Sequence, residues 1–195
     1  MIVNNTVNFI TDQYGNYVIQ YIISLNNHEI NRKITNYFIN NIGFLGKQKF
    51  SSNVIEKVFE FSDEKTKELM VAKLSDPEIV QTLLFDMYGN YVIQKALSVA
   101  KEPHYSKYIQ TIVPIIDKLK TVSFGPKLYH KLINTYREIG NLVDQRNMMK
   151  MNTYNNMTMS QYNLKKNFQN ININFNPPQR NDTLQQINNF YFHNN

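Results

Sequence analysis

Asp12-Gln13-Tyr14-Gly15-Asn16-Tyr17-Val18-Ile19-Gln20 returns almost unchanged as Asp86-Met87-Tyr88-Gly89-Asn90-Tyr91-Val92-Ile93-Gln94; only the residue after the aspartate differs. A diverged copy lies between them, Phe50-Ser51-Ser52-Asn53-Val54-Ile55-Glu56-Lys57-Val58. A fainter one follows, Phe124-Gly125-Pro126-Lys127-Leu128-Tyr129-His130-Lys131-Leu132. Measured between Asn16, Ser52, Asn90 and Pro126, the spacings are 36, 38 and 36 residues. A period of this size belongs to stacked supersecondary units, each too small to bury its own apolar face.

Each copy opens a helix. The apolar residues behind the anchor fall at helical spacing: Val18, Ile19, Ile22 and Ile23; Val54, Ile55, Val58 and Phe59; Val92, Ile93, Ala96 and Leu97. This register turns Val18 and Ile22 toward the core. A second helix is expected near His28–Ile42, Asp63–Leu74 and His104–Val113, with Pro114 ending the last. A shorter helix precedes each anchor. The best marked starts at Asp76-Pro77, where Asp can cap and Pro suits the first helical position. The fold predicted over residues 1–140 is all-α, with three helices per unit.

The chain has 195 residues and no cysteine, which excludes disulfides, a thiol nucleophile and cysteine-based metal sites. Its net charge is +6: residues 1–140 carry 16 Lys and Arg against 13 Asp and Glu, and residues 141–195 carry 5 against 2. So mild a charge permits nucleic-acid binding without requiring it. No run approaches the roughly 18 apolar residues of a membrane span. Met1-Ile2-Val3-Asn4-Asn5 lacks the basic start and apolar core of a secretory signal. The expectation is a soluble cytoplasmic or nuclear protein with no membrane contact. Beyond residue 140, Asn supplies 16 of the last 55 residues, with Pro177-Pro178 among them and no sustained apolar period. An Asn-rich, mostly disordered tail is expected over 141–195, with partner binding or self-association as its functional alternative.

At about 100° per residue, positions i, i+1 and i+4 of a helix share an arc of roughly 100°. At the three anchors these are Asn16, Tyr17 and Gln20; Ser52, Asn53 and Glu56; Asn90, Tyr91 and Gln94. Each triplet offers two polar side chains and one flat one, and stacking lines the triplets up along one surface. The edge of uracil carries two acceptors and one N–H; Asn with Gln supplies both donors and acceptors. The edge of guanine carries two adjacent N–H donors, which a carboxylate such as Glu56 accepts together. Tyr17 and Tyr91 give stacking faces worth about 1–3 kcal/mol per base, and Asn53 gives a poorer, planar platform. Such edges are open in single-stranded RNA.

Over about residues 5–140 the sequence resembles the Pumilio (PUF) family of RNA-binding repeats, through its two copies of Tyr-Gly-Asn-Tyr-Val-Ile-Gln and the Ser-Asn-Val-Ile-Glu-Lys between them. The resemblance implies a right-handed α-solenoid that binds single-stranded mRNA at one base per repeat, which is a family property and not a deduction from this sequence. It implies no enzymatic activity, cofactor or DNA partner. By the family pattern Asn16/Gln20 and Asn90/Gln94 read uracil and Ser52/Glu56 reads guanine. Tyr17, Asn53 and Tyr91 stack. The family binds RNA antiparallel, so the implied order is 5′-U-G-U from the third repeat to the first. Control of mRNAs through their 3′ untranslated regions follows, mainly repression, with proteins of the repression or decay machinery as further partners. A full family domain has eight repeats, against three and a terminal half-repeat here. In the last copy Pro126 and His130 replace the reading pair, and Lys127 takes the stacking position. That unit reads as a cap, with Lys127 left a backbone or 5′-base contact.

The rival reading is a protein–protein scaffold, because α-solenoids also offer their curved face to peptides. No constellation suggests an enzyme. His28, His104, His130 and His193 lack metal-ligand spacing, and no phosphate-binding Gly loop, nucleophile elbow or metalloprotease motif occurs. Tyr14, Tyr88 and Phe50 read as packing residues. Lys57, Lys95 and Lys131 read equally as phosphate contacts or solvated lysines. Asp63 and Glu64 suit a helix start. One Tyr-Gly-Asn-Tyr alone could be a helix start in which Gly relaxes the turn and Asn caps; copies in register favour a reading surface.

Overall fold

Capping and periodicity together set the helix boundaries. The computed structural model describes residues 6–173, with side chains to Asn167. The segment Met1–Asn5, the Pro177-Pro178 pair and His193 lie outside the described residues. The first unit, α1 (Thr6–Thr11), α2 (Gly15–Ser24) and α3 (His28–Phe38), is followed by a 3-10 turn over Ile39–Asn41. The second is α4 (Ile42–Leu45), α5 (Lys49–Phe61) and α6 (Glu64–Leu74). The third is α7 (Pro77–Leu84), α8 (Gly89–Val99) and α9 (His104–Ile115). A terminal unit replaces the short helix with a 3-10 stretch, Ile116–Thr121, before α10 (Gly125–Thr135) and α11 (Arg137–Ile173). The described residues are thus an all-α solenoid of three-helix units. Asp63 caps α6 by accepting from Thr66 N at 2.8 Å. Asp76 caps α7 through Glu78 N at 2.9 Å, with Pro77 in the first turn.

The expected second helix near His28–Ile42 is shorter: it stops at Phe38, and Ile39–Leu45 form the lead-in to the next unit. Pro114 does not end α9 but sits inside its last turn, one residue before the helix gives way to the 3-10 stretch. Its missing N–H costs that turn a single bond.

Packing runs between consecutive units. Val54, Val58, Val92 and Ala96 are fully buried, and α2 lies on α5 as α5 lies on α8. Each such valine contributes about 1.5–3 kcal/mol through burial. Buried polar groups tie the same junctions. Asn31 donates to the carbonyls of Ile23 at 3.1 Å and Phe61 at 2.9 Å. Tyr108 Oη donates to Val71 O at 3.3 Å. Val18 departs from its expected core position: it is 50% exposed, because among the described residues nothing packs where a preceding unit buries Val54 and Val92. Ile22 is only partly buried for the same reason. Tyr14, expected to pack, is also exposed, whereas Tyr88 and Phe50 are partly covered.

The chain divides into two compact units, Met1–Asp144 and Gln145–Asn195. Where composition predicted no regular structure from 141 onward, residues 141–173 continue as helix α11. The cause is local: no Gly or Pro falls between Gly140 and Pro177, and Met, Gln, Leu and Lys are sound helix formers. Ile139 and Val143 are buried, whereas the side chains from Asn147 to Asn167 are exposed. No described helix is long and apolar enough to cross a membrane.

Candidate nucleic-acid interface

The anchor helices of the first and third units start the same way, whereas the second and fourth have Gln48 and Val122 in place of the aspartate. Asp12 Oδ1 accepts from the N–H groups of Tyr14 at 2.9 Å and Gly15 at 2.7 Å. Asp86 does so for Tyr88 at 2.9 Å and Gly89 at 2.8 Å. These bonds, from Gly15 and then Tyr14, hold the Asp12 carboxyl below its ordinary range. The aspartate is therefore the capping group, and not the asparagine of the alternative helix-start reading. Its signal was present as the invariant first residue of both long copies.

The glycine also differs from that alternative reading. No glycine has positive φ, so none is needed to relax a turn. A Cβ on Gly15 would lie 2.8 Å from Phe9 O, and one on Gly89 would lie 2.8 Å from Leu83 O. Each carbonyl belongs to the residue six positions earlier, at the end of the preceding short helix. At the same place Ser51 donates its hydroxyl to Leu45 O. The glycine thus lets the anchor helix cross the short helix at backbone contact.

The flat residues stand out from this scaffold as expected. Tyr17 is 67% and Tyr91 55% exposed, and Asn53 is exposed too. Asn16, Ser52 and Asn90 are placed differently from the expected common face. Asn16 is 1% and Asn90 4% exposed, and their amide nitrogens turn back to the helix start. Asn16 Nδ2 donates to Asp12 O at 2.9 Å and Gln13 O at 3.0 Å. Asn90 Nδ2 donates to Asp86 O at 2.9 Å and Met87 O at 3.1 Å. Two carbonyls on one side require the nitrogen there, which fixes the amide orientation. The oxygen then faces outward and accepts from the glutamine one turn on: Gln20 Nε2 to Asn16 Oδ1 and Gln94 Nε2 to Asn90 Oδ1, both 2.9 Å. Ser52 likewise turns back, donating to Lys49 O at 3.3 Å. In each repeat, then, i+4 presents the polar edge, and in the first and third repeats i holds it from beneath.

Each bonded glutamine keeps one N–H and its Oε1. In the third repeat Gln94 Oε1 is buried and accepts no hydrogen bond. Glu56 is partly buried between the two glutamine repeats. Burial raises its pKa above the ordinary 4.5, against the pull of Lys95. Lys57 and Lys95 are spoken for: both reach Glu60, at 3.0 and 3.6 Å. Beyond the third repeat lies an open groove of about 480 Å³, lined by Asn90, Tyr91 and Gln94 on one side and Phe124, Lys127 and Lys131 on the other.

The repeats that define this surface are those of a known family. The sequence model of the Pumilio-family RNA binding repeat matches residues 5–36, 41–75 and 80–112, one match for each three-helix unit. The chain belongs to the Pumilio family of RNA-binding repeat proteins. It is 37% identical over 131 residues to Pumilio domain-containing protein C6G9.14 of Schizosaccharomyces pombe, covering 67% of this chain and 19% of that protein. It is 32% identical over 131 residues to Pumilio homolog 12 of Arabidopsis thaliana, covering 67% of this chain and 22% of the relative. The crystal structure of PUF-8 in complex with PBE-RNA superposes with a TM-score of 0.63 at 30% identity, over 69% of this chain and 40% of that one. The Puf3 RNA binding domain bound to the Cox17 RNA 3′ UTR recognition sequence gives 0.65 at 25% identity, over 74% and 42%. The chain therefore spans about a fifth of the length of these curated relatives.

Proposed function

We propose that the chain binds single-stranded mRNA along the exposed starts of α2, α5 and α8, reads 5′-U-G-U, and acts in the cytoplasm on 3′ untranslated regions as a repressor. The observation that carries the reading is the bonded Asn–Gln pair, occurring twice, with the Gln94 acceptor left unmet. A glutamine so held offers one N–H beside one oxygen, which meets the carbonyl and N3–H of uracil. Guanine, with two adjacent donors, would meet that N–H with a donor. Glu56 offers acceptors only and suits guanine. An adenine edge also matches a donor–acceptor pair, so the choice of uracil follows the family pattern. The antiparallel strand, and repression through partners of the decay machinery, follow it as well. The RNA-bound relatives, PUF-8 and Puf3, support the reading.

The test is a titration of the full chain with short RNAs differing at the centre, U-G-U against U-U-U and U-A-U, and at the flanks, A-G-A. The guanine preference should be full where Glu56 is ionised and fade as pH falls through its raised pKa. That loss should come at a less acidic pH than the 4.5 of an ordinary glutamate. Equal affinity for every centre would remove Glu56 from the mechanism. Absence of binding even at low salt would favour a protein scaffold.

A further inference from the structure

We propose that Lys127 and Lys131 form a receptor for a phosphate group on the 5′ side of the nucleotide read by the third repeat; the proposal rests on the strand direction given above. The two lysines are four residues apart on α10 and both are exposed. Among the described residues neither makes an ion pair, whereas Lys57 and Lys95 share Glu60 and Lys120 holds Asp117 at 3.2 Å. At this spacing like charges repel, and α10 has no acidic residue in its first turn to offset them. The pair is thus a cluster of charge without an ion-pair partner, Lys131 standing only in the longer-range field of Glu56, and its place is specific. Both lysines line the same 480 Å³ groove as Asn90, Tyr91 and Gln94.

The terminal unit keeps the repeat frame and changes the chemistry on it. Where the earlier units put an Asn–Gln or Ser–Glu pair, this one has Pro126 and His130, with no matching donor–acceptor edge. Base reading stops there and cationic charge replaces it. With RNA antiparallel to the protein, the strand leaving the third repeat toward α10 does so by its 5′ phosphate. A lysine ammonium recognises phosphate as a point charge.

The experiment compares three RNAs on the full chain: U-G-U-U-U with a 5′ hydroxyl, the same RNA with a 5′ monophosphate, and A-U-G-U-U-U, whose phosphate is an internal diester. Both phosphate-bearing RNAs should bind about tenfold tighter than the hydroxyl form at low salt. Their salt dependence should be steeper by about 0.7 for the one added phosphate. The variant Lys127→Gln with Lys131→Gln should erase the difference between the phosphate-bearing and hydroxyl RNAs, whatever it does to the hydroxyl RNA's own affinity. A terminal phosphate outbinding the diester would make the receptor one for RNA ends; equality would make it one for continuing strands. The proposal fails if the hydroxyl RNA binds as tightly as the others, or if the double variant keeps the difference. Loss of all three RNAs at wild-type residues would instead sink the reading beneath it.

Discussion

Replacing Gly89 by alanine is expected to destabilise the chain by about 2–3 kcal/mol, the upper range for overpacking a closed contact. The added methyl would sit 2.8 Å from Leu83 O and 2.9 Å from Leu83 Cα. Both are backbone atoms of α7, so no rotamer change relieves the clash. The anchor helix must lift off the short helix, and Leu83, Leu84, Val92 and Ile93, all fully buried, lose packing together. Serine should cost less than alanine, because Ser51 shows how a hydroxyl at this crossing is used: it donates to the facing carbonyl of Leu45. Urea unfolding of Gly89→Ala and Gly89→Ser measures both. A loss below about 0.5 kcal/mol for alanine, the range of ordinary surface changes, would show that the two helices part freely and that the glycine is not a packing requirement.

The combined change Ser52→Asn with Glu56→Gln should turn the preferred central base from guanine to uracil. One good base contact is worth about 1–3 kcal/mol of discrimination by analogy with direct readout of DNA, so each preference should move by about 5- to 150-fold. The scaffold for the new pair already exists. Asn16 donates to Asp12 O and Gln13 O, and the matching carbonyls in the second repeat are those of Gln48 and Lys49; Ser52 already donates to the latter. An asparagine there can tether the new glutamine as in the flanking repeats. Glu56→Gln alone lacks that tether and should shift the preference less. The substitution also removes a carboxylate whose ionised form burial disfavours. Competition binding with U-G-U and U-U-U reads the outcome. A double variant that still prefers guanine would place base selection elsewhere.

The repeat and its period were legible from Tyr-Gly-Asn-Tyr, because an internal copy supplies what one sequence otherwise lacks, a comparison with itself. What escaped were properties set by the neighbouring unit or by a rotamer. Helical spacing places Asn16 on the same arc as Gln20, but it cannot say that two carbonyls at the helix start will claim its amide. The same spacing gives Val18 and Val92 one direction; whether that direction is covered depends on the unit before. The packing task of Gly15 and Gly89 was hidden because the carbonyl they approach lies six residues away across a helix crossing. The helix beyond Gly140 was hidden by an asparagine-rich composition, which speaks of poor packing and not of local hydrogen bonding.

The bond from asparagine to glutamine also changes when rotamer freedom is lost. A free glutamine gives up about 1.5–2 kcal/mol of side-chain entropy when fixed, and immobilising such a side chain on binding is a direct charge on affinity of about 0.5–1.5 kcal/mol. Gln20 and Gln94 are held at 2.9 Å by buried partners before any RNA arrives. Part of that cost is met during folding, so both glutamines are preorganised for the uracil contacts proposed for them. Asn16 and Gln20 should therefore behave as one unit: truncating either to alanine should lose most of what truncating both loses, in a double-mutant cycle of RNA affinity. Additive losses would mean that the asparagine steadies nothing. Glu56 has no tether of this kind. In the proposed reading the central position orders its reader at the moment of binding, and draws on the stronger, charge-assisted contact to do so.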